Sequence, residues 1–220
     1  MTADNKKSRI NTDGLFRQNI VLMSGLVTAP IIVAATTMQR ALVLSMAFFA
    51  ISYVSVLICR FIPRKIVYMV RILLYTIVAA GVFVPTVIGL RCLFPETTGE
   101  VILYIELMVV NSLILAKTES RFYLEKYGKM AVDALIYIAG FAMAAFASGF
   151  VREIFSYGTV FGFHVCEPIV PAAKSPFFGF ILVGIFAALC RVIVGRRAVR
   201  KKRPKEHERF RIEIDFDDEE

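Results

Sequence analysis

The sequence has no tryptophan and only two histidines, His164 and His207, among its 220 residues. It contains no Walker loop, no glycine-rich nucleotide fingerprint, no HExxH and no GxSxG motif. Its four cysteines are scattered and form no CxxC pair, the spacing that zinc and redox sites use. These absences predict no catalytic residue and no metal site. The cysteines are interpreted as ordinary apolar residues, with a disulfide between Cys92 and Cys166 left open.

Long apolar stretches dominate what is present. Hydrophobic residues make up 57% of the sequence, and its mean hydropathy is +0.66. They fall into long blocks instead of alternating with polar residues, which is typical of membrane spans. The charged leader at 1–18 lacks the cleavage site of a signal peptide, so it is expected to stay in the cytoplasm.

Six apolar blocks follow this leader. About 20 helical residues cross a hydrocarbon layer of about 30 Å, so each block is read as one span. The sequence therefore predicts an all-α membrane protein with a six-helix domain at 19–195 and a basic, then acidic, tail at 196–220. The blocks cover residues 19–38, 41–59, 66–90, 101–116, 130–150 and 177–195.

Positive charge is distributed unevenly among the loops. Of 26 Lys and Arg residues, 21 fall in the leader, after blocks two and four, or from Arg191 onward. Only four fall in the alternate loops, which include 91–99 and 152–176. Cytoplasmic loops collect Lys and Arg, so both termini are predicted to be cytoplasmic. The net charge of +8 then favours binding to membrane lipids over nucleic acid.

Blocks one and four are interrupted at corresponding places. Block one contains Gly25 and Pro30, and block four places Glu106 and Asn111 in an apolar run. Such interruptions mark the functional centre of inverted-repeat membrane proteins, so a 3+3 inverted repeat with broken helices one and four is predicted. The alternative is a tolerated proline kink and an interhelical hydrogen bond.

Glu106 and Arg71 are the candidates for charges buried within the spans. Glu106 is either a buried charge near the midplane or close enough to the outer interface to be solvated. Arg71 is expected to extend toward the cytoplasmic interface. Block five also carries small residues at four-residue spacing, which permit close helix packing. They are Gly140, Ala144, Ala145, Ser148 and Gly149.

Three segments make the chain resemble the Rnf and Nqr integral membrane subunits. They are DGLFRQNIVLMSGLVTAP, VVNSLILAKTESRFYLEKYG and FVREIFSYGTVFG. The last contains the pattern R-E-I-x-x-x-G-T-x-F-G at 152–162. The chain looks most like the E subunit of the Rnf complex, which is equivalent to the D subunit of the sodium-translocating NADH:quinone reductase. The resemblance implies six spans and an oppositely oriented paralogous subunit as partner.

The resemblance also implies a [2Fe–2S] cluster shared between the two paralogues. Each paralogue supplies two cysteines, in motifs similar to G-x-C-P and T-N-C. This chain has Ala29 between Thr28 and Pro30, and Ser112 after Asn111. Alanine cannot ligate iron and a neutral serine is a poor substitute for thiolate, so this chain alone is expected to bind no cluster.

Two functions remain open from the sequence. The first is a membrane subunit of an Rnf-type electron-transport, ion-translocating complex in the cytoplasmic membrane of a prokaryote. Its partners are the other Rnf-like subunits. The second is a stand-alone small-molecule transporter or membrane scaffold with the same fold.

Overall fold

The computed structural model describes residues 28–63, 65–111, 118 and 127–192, and within them the chain is mostly helical. A short π-helix, Pro30–Ala34, precedes the first long helix. A two-stranded antiparallel hairpin and a 3-10 turn, Pro171–Lys174, connect the last two helices. The helices are α1 (Met38–Cys59), α2 (Tyr68–Leu93), α3 (Pro95–Leu107), α4 (Tyr127–Tyr157) and α5 (Pro176–Val192), and the strands are β1 (Thr159–Val160) and β2 (Phe163–His164).

Three of these helices, α1, α2 and α4, are long and apolar enough to cross a membrane. They correspond to blocks two, three and five, and α5 covers most of block six. The leader, the first half of block one, residues 112–116 of block four and the tail lie outside the described residues. The six-helix inverted repeat and the boundaries of its membrane domain therefore stay predictions.

Helix α1 occupies the centre and packs against α2, α3 and α4. The Phe48 and Phe141 rings stack with centroids 4.1 Å apart, which joins the middle of α1 to α4. The predicted small residues of block five are all buried, and Gly149 lies close to Ala41 near the start of α1. These two contacts fix α1 and α4 as antiparallel neighbours, and small residues at the contact let the backbones approach.

The predicted outer loop at 91–99 is wrong, because α2 and α3 are separated by Phe94 alone. Pro95 takes the first position of α3, where a missing amide proton costs nothing. Thr98 supports the corner, since its Oγ1 donates to the Leu90 carbonyl at 3.2 Å. Block four therefore begins its helix six residues earlier than its hydropathy indicated.

Block five also extends further than its hydropathy indicated. Helix α4 continues to Tyr157, whereas the apolar block ends at 150. Arg152 and Glu153, assigned from the sequence to an outer loop, are helical and almost fully buried, at 0% and 3% exposure. Both charged side chains form hydrogen bonds with backbone groups that are remote in the sequence.

Candidate functional site

The helix in block one is broken just before α1. The amides of Ile31 and Ile32 donate to the Thr28 carbonyl, and the Ala35 amide closes a π-turn on Pro30. Residues 35–37 are not helical. Helix α1 then restarts, with Thr37 as its N-cap and the Thr37 Oγ1 accepting from the Arg40 amide at 3.2 Å. Two helix ends thus meet here, and each leaves backbone groups without intrahelical partners.

Arg152 satisfies carbonyls on one side of this break. Its Nη1 donates to the Ile32 carbonyl at 2.7 Å and to the Ala35 carbonyl at 3.4 Å. Its Nε and Nη2 donate to the carbonyls of Ala173, Lys174 and Ser175 at 2.8 to 3.3 Å. One guanidinium therefore ties the broken segment to the loop that enters α5.

Glu153 satisfies amides on the other side of the break. Its Oε2 accepts from the Met38 amide, the first of α1, at 2.6 Å. Its Oε1 accepts from the Gly162 amide at 3.1 Å and from the Thr159 hydroxyl at 3.2 Å. We call these two neighbouring residues, Arg152 and Glu153, the clasp.

The charges of the clasp match the helix ends that they contact. Carbonyls at a helix C-terminus carry partial negative charge and stabilise a cation. Amides at a helix N-terminus carry partial positive charge and stabilise an anion. Arg152 faces the carbonyl end of the π-helix and Glu153 faces the amide end of α1, so each charge is compensated by backbone dipoles.

The glycines of the 152–162 motif shape the end of α4 so that it can return to Glu153. Gly158 adopts φ +66° and lies so close to the Cys166 carbonyl that a side chain would overlap it. Phe161 and Gly162 both have positive φ and form the two-residue turn between β1 and β2. This turn brings the Gly162 amide to the Glu153 carboxylate.

Two further glycines let helices pack directly on the break. A methyl group on Gly179 of α5 would collide with the Ile32 carbonyl. A methyl group on Gly149 of α4 would lie 2.9 Å from the Thr37 carbonyl oxygen. The broken segment is thus enclosed by α4, α5 and the clasp.

The second interrupted block ends its helix at Leu107 and continues as a turn to Val110. Asn111 is 3% exposed. Its Nδ2 donates to the Met108 carbonyl at 2.7 Å and to Ser52 Oγ, in α1, at 3.0 Å. This amide therefore both closes the end of α3 and joins it to α1.

The residues predicted for the functional centre are placed as follows. Thr28 is half-buried, Ala29 is exposed and Pro30 is buried, and the π-helix that Pro30 opens packs against α3. Ser112 lies outside the described residues. That the two breaks meet at the bilayer midplane stays a prediction.

The two charges expected within the spans lie in different surroundings. Arg71 is 7% exposed, and its guanidinium lies 5.9 Å from the Tyr68 ring centre. Its extension toward the cytoplasmic interface stays a prediction. Glu106 is exposed on the surface of the chain instead of enclosed by it. The clasp was not among the predicted site residues at all. The sequence does contain a signal for it. A pair of opposite charges follows the small residues of block five and comes shortly before Gly158 and Thr159.

The part of the chain that the structure describes does not supply the ligands of an iron–sulfur cluster. Ala29 offers only a methyl group, and all four cysteines are free thiols away from the break. Cys59 ends α1, Cys92 lies at the end of α2, and Cys166 is in the hairpin loop. Among residues 28–63, 65–111, 118 and 127–192, no group of three or more His, Cys, Asp or Glu side chains is placed to hold a metal ion.

An open groove of about 420 Å³ lies between α1 and α2. Met46, Phe49 and Leu93 line it, together with Ser45 and Thr86. Both hydroxyls donate to carbonyls of their own helices, Ala41 and Val82. The groove therefore offers an apolar surface and no free reactive group.

The chain is similar to known membrane subunits over most of its length. A family model described as Rnf-Nqr subunit, membrane protein, matches residues 8–188. The E subunit of the ion-translocating oxidoreductase complex of Rhodobacter capsulatus is 25% identical, over 93% of this chain and 91% of the relative. The corresponding E subunit of Paramagnetospirillum magneticum is 30% identical over 70% and 69%. The D subunit of the Na(+)-translocating NADH-quinone reductase of Yersinia enterocolitica is 23% identical over 76% and 80%.

Proposed function

Because this chain belongs to the Rnf-Nqr family of membrane subunits, we propose that it is a membrane subunit of an ion-translocating oxidoreductase complex. Its relatives are named as subunits of such complexes. The redox cofactors are then carried by the complex, and this chain contributes a membrane-embedded scaffold. Three helices of spanning length support a multi-pass protein.

The observation that carries this proposal is the clasped break in block one. Residues 152–162, which carry the resemblance, are the residues that hold the break in place. They hold it with Ala29 on the surface of the chain. A break that is fixed from inside and exposed at one position is suited to face a neighbouring subunit.

The proposed arrangement has six spans in a 3+3 inverted repeat, with both termini cytoplasmic. The neighbouring subunit is an oppositely oriented paralogue in the same prokaryotic cytoplasmic membrane. Ala29 and Ser112, with Thr28, Pro30 and Asn111 beside them, face that paralogue. Ala29 offers no ligand and Ser112 offers no thiolate, so the thiolate ligands of a cluster come from other subunits of the complex.

Affinity purification of the full chain from its native membrane tests the proposal. We expect the tagged chain to bring down other membrane and redox subunits in fixed stoichiometry, identified by mass spectrometry. Arg152→Gln is the matched variant, because it loosens the break without touching the exposed Ala29 surface. A wild-type chain that migrates alone or only with copies of itself on native gels would contradict the proposal.

Iron and acid-labile sulfide analysis tests the absence of ligands. The lone subunit is expected to contain no stoichiometric iron, whereas the co-purified complex carries the cofactors. Ser112→Ala and a variant lacking all four cysteines are the controls. Iron in the lone subunit that is lost with Ser112→Ala but kept without the cysteines would make Ser112 a ligand.

A further inference from the structure

Helix α3 presents a carboxylate on an otherwise apolar outer face. Leu103, Leu107 and Val110 are 68%, 58% and 60% exposed. Glu106 is exposed between them, and its spacing from Leu103 and Leu107 places these three on one side of α3, with Val110 in the turn that follows. No salt bridge joins Glu106 to another of the described residues.

Two side-chain contacts fix how far Glu106 lies along the central helix. Arg40 Nη2 is 2.8 Å from Glu100 Oε2, which joins the starts of α1 and α3. Asn111 donates to Ser52 Oγ at 3.0 Å, which joins α3 to the later part of α1. Glu100 and Asn111, which follows the end of α3, are 11 residues apart, and Arg40 and Ser52 are 12 apart, so α3 and α1 run parallel and in register.

This register places Glu106 level with the middle of α1. It lies six residues past Glu100, or about 9 Å at 1.5 Å per residue. Its level on α1 is therefore near Met46, and α1 is a 22-residue helix of spanning length. In a membrane that α1 crosses over its 22 residues, the carboxylate would lie away from both ends of that helix.

A carboxylate at that depth is costly against lipid, and such residues normally face a polar cavity or a partner. Helix α2 provides the contrast, because its outward residues Leu73 and Ile77 are apolar and 60% and 57% exposed. That face suits lipid, whereas the face of α3 does not.

We infer that the surface formed by Leu103, Glu106 and Leu107 of α3, with Val110 in the turn after it, is the contact surface for a second membrane subunit. That subunit supplies a cationic side chain, Lys or Arg, to Glu106 at mid-depth. Charge complementarity selects this occupant, since apolar packing covers the three aliphatic residues and a cationic donor both neutralises the carboxylate and donates hydrogen bonds to it. This inference rests on the proposed function, which supplies the second subunit.

Photo-crosslinking locates what covers this face. Benzoylphenylalanine replaces Leu103 or Leu107 in the full chain in native membranes, with Leu73 and Ile77 as matched positions on α2. We expect the α3 positions to crosslink to a transmembrane peptide of a different subunit that contains Lys or Arg. Crosslinks from α3 to lipid, or to a second copy of this chain, would overturn the inference.

Substitution of the carboxylate tests the charge. Glu106→Leu is expected to lower recovery of the complex at least tenfold, and Glu106→Gln to lower it less. The thermal unfolding of the lone chain stays unchanged, because Glu106 is exposed there. Glu96→Gln, at the exposed start of the same helix, is expected to leave recovery unchanged.

The outcomes separate the two proposals. If the wild-type chain recovers the complex and Glu106→Leu recovers equally much, the interface is wrong and the proposed function stands. If the wild-type chain recovers no other subunit, both are wrong. Cation binding to the lone chain that is lost with Glu106→Gln would show a bound ion in place of the partner's charge, and would also overturn the interface.

Discussion

At the scale of single residues, Arg152 is unusual because it is fully buried and faces backbone carbonyls instead of a carboxylate. Its planar guanidinium places five donors in fixed directions, which a lysine cannot do. Removing it leaves several buried carbonyls without donors, and each such group costs about 1–3 kcal/mol.

Arg152→Gln is therefore expected to destabilise the purified chain by about 3 kcal/mol or more. Arg152→Lys is expected to recover only part of this loss. Thermal unfolding followed by size-exclusion chromatography measures both. Arg91→Gln, on an exposed side chain at the end of α2, is the control and should unfold like the wild type. Equal stability of Arg152→Gln and the wild type would show that the carbonyls find other donors.

Two glycines of α5 provide a matched pair. A methyl group on Gly179 would overlap the Ile32 carbonyl, whereas one on Gly184 meets nothing within 4 Å. Gly179→Ala should therefore displace the broken segment and cost about 1–3 kcal/mol, as overpacking does. Gly184→Ala should be neutral or slightly stabilising, because alanine favours a helix. Equal unfolding temperatures for the two variants would contradict the close contact.

The clasp could not be predicted from hydropathy, because its partners are remote in the sequence. Glu153 binds an amide 115 residues away, and Arg152 binds a carbonyl 120 residues away. A charged pair after an apolar block is typical of a loop, which is why hydropathy ends block five at 150. Only the helix-dipole match at the break, which requires the fold, explains why both charges are buried.

At the scale of elements, the apolar runs predicted α1, α2 and α4 well and the small-residue face of α4 correctly. Their ends were less predictable, since a corner such as Phe94 needs only one residue and carries no loop composition. The break in block one also lies at residues 35–37, several residues after the Pro30 that indicated it. Pro30 begins the π-helix. The helix breaks where Arg152 and Glu153, instead of neighbouring turns, bind the backbone carbonyls and the amide.

The join between α3 and α1 gives a prediction at this scale. Asn111→Ala removes the donor to both Ser52 and the Met108 carbonyl and should cost about 1–3 kcal/mol. Ser52→Ala should cost less, since the Asn111 amide keeps its bond to Met108. A double-mutant cycle on thermal unfolding is expected to give a coupling of about 0.5–2 kcal/mol. Strict additivity would mean that this bond does not hold the two helices together.

At the scale of the whole molecule, the structure gives the directions of the helices relative to one another. Parallel α1 and α3, with antiparallel α4, agree with alternating spans. Orientation depends on the Lys and Arg bias of loops, many of which lie outside the described residues. The sequence therefore predicts the orientation in the membrane, and cysteine labelling tests it.

We predict that both termini are cytoplasmic and that the corner between α2 and α3 is outside. Cys92 is exposed beside this corner, whereas Cys59, at the other end of α1, is fully buried. In intact cells, a membrane-impermeant maleimide should label Cys92 and Cys166, and Cys92→Ser should remove the Cys92 part of that signal. Cys59 should stay unlabelled until the protein is denatured, which controls for accessibility. A cysteine introduced as Lys201→Cys should react only after permeabilisation, because the positive tail is held inside. Labelling of that tail cysteine in intact cells, without labelling of Cys92, would invert the topology and place the clasp on the cytoplasmic side.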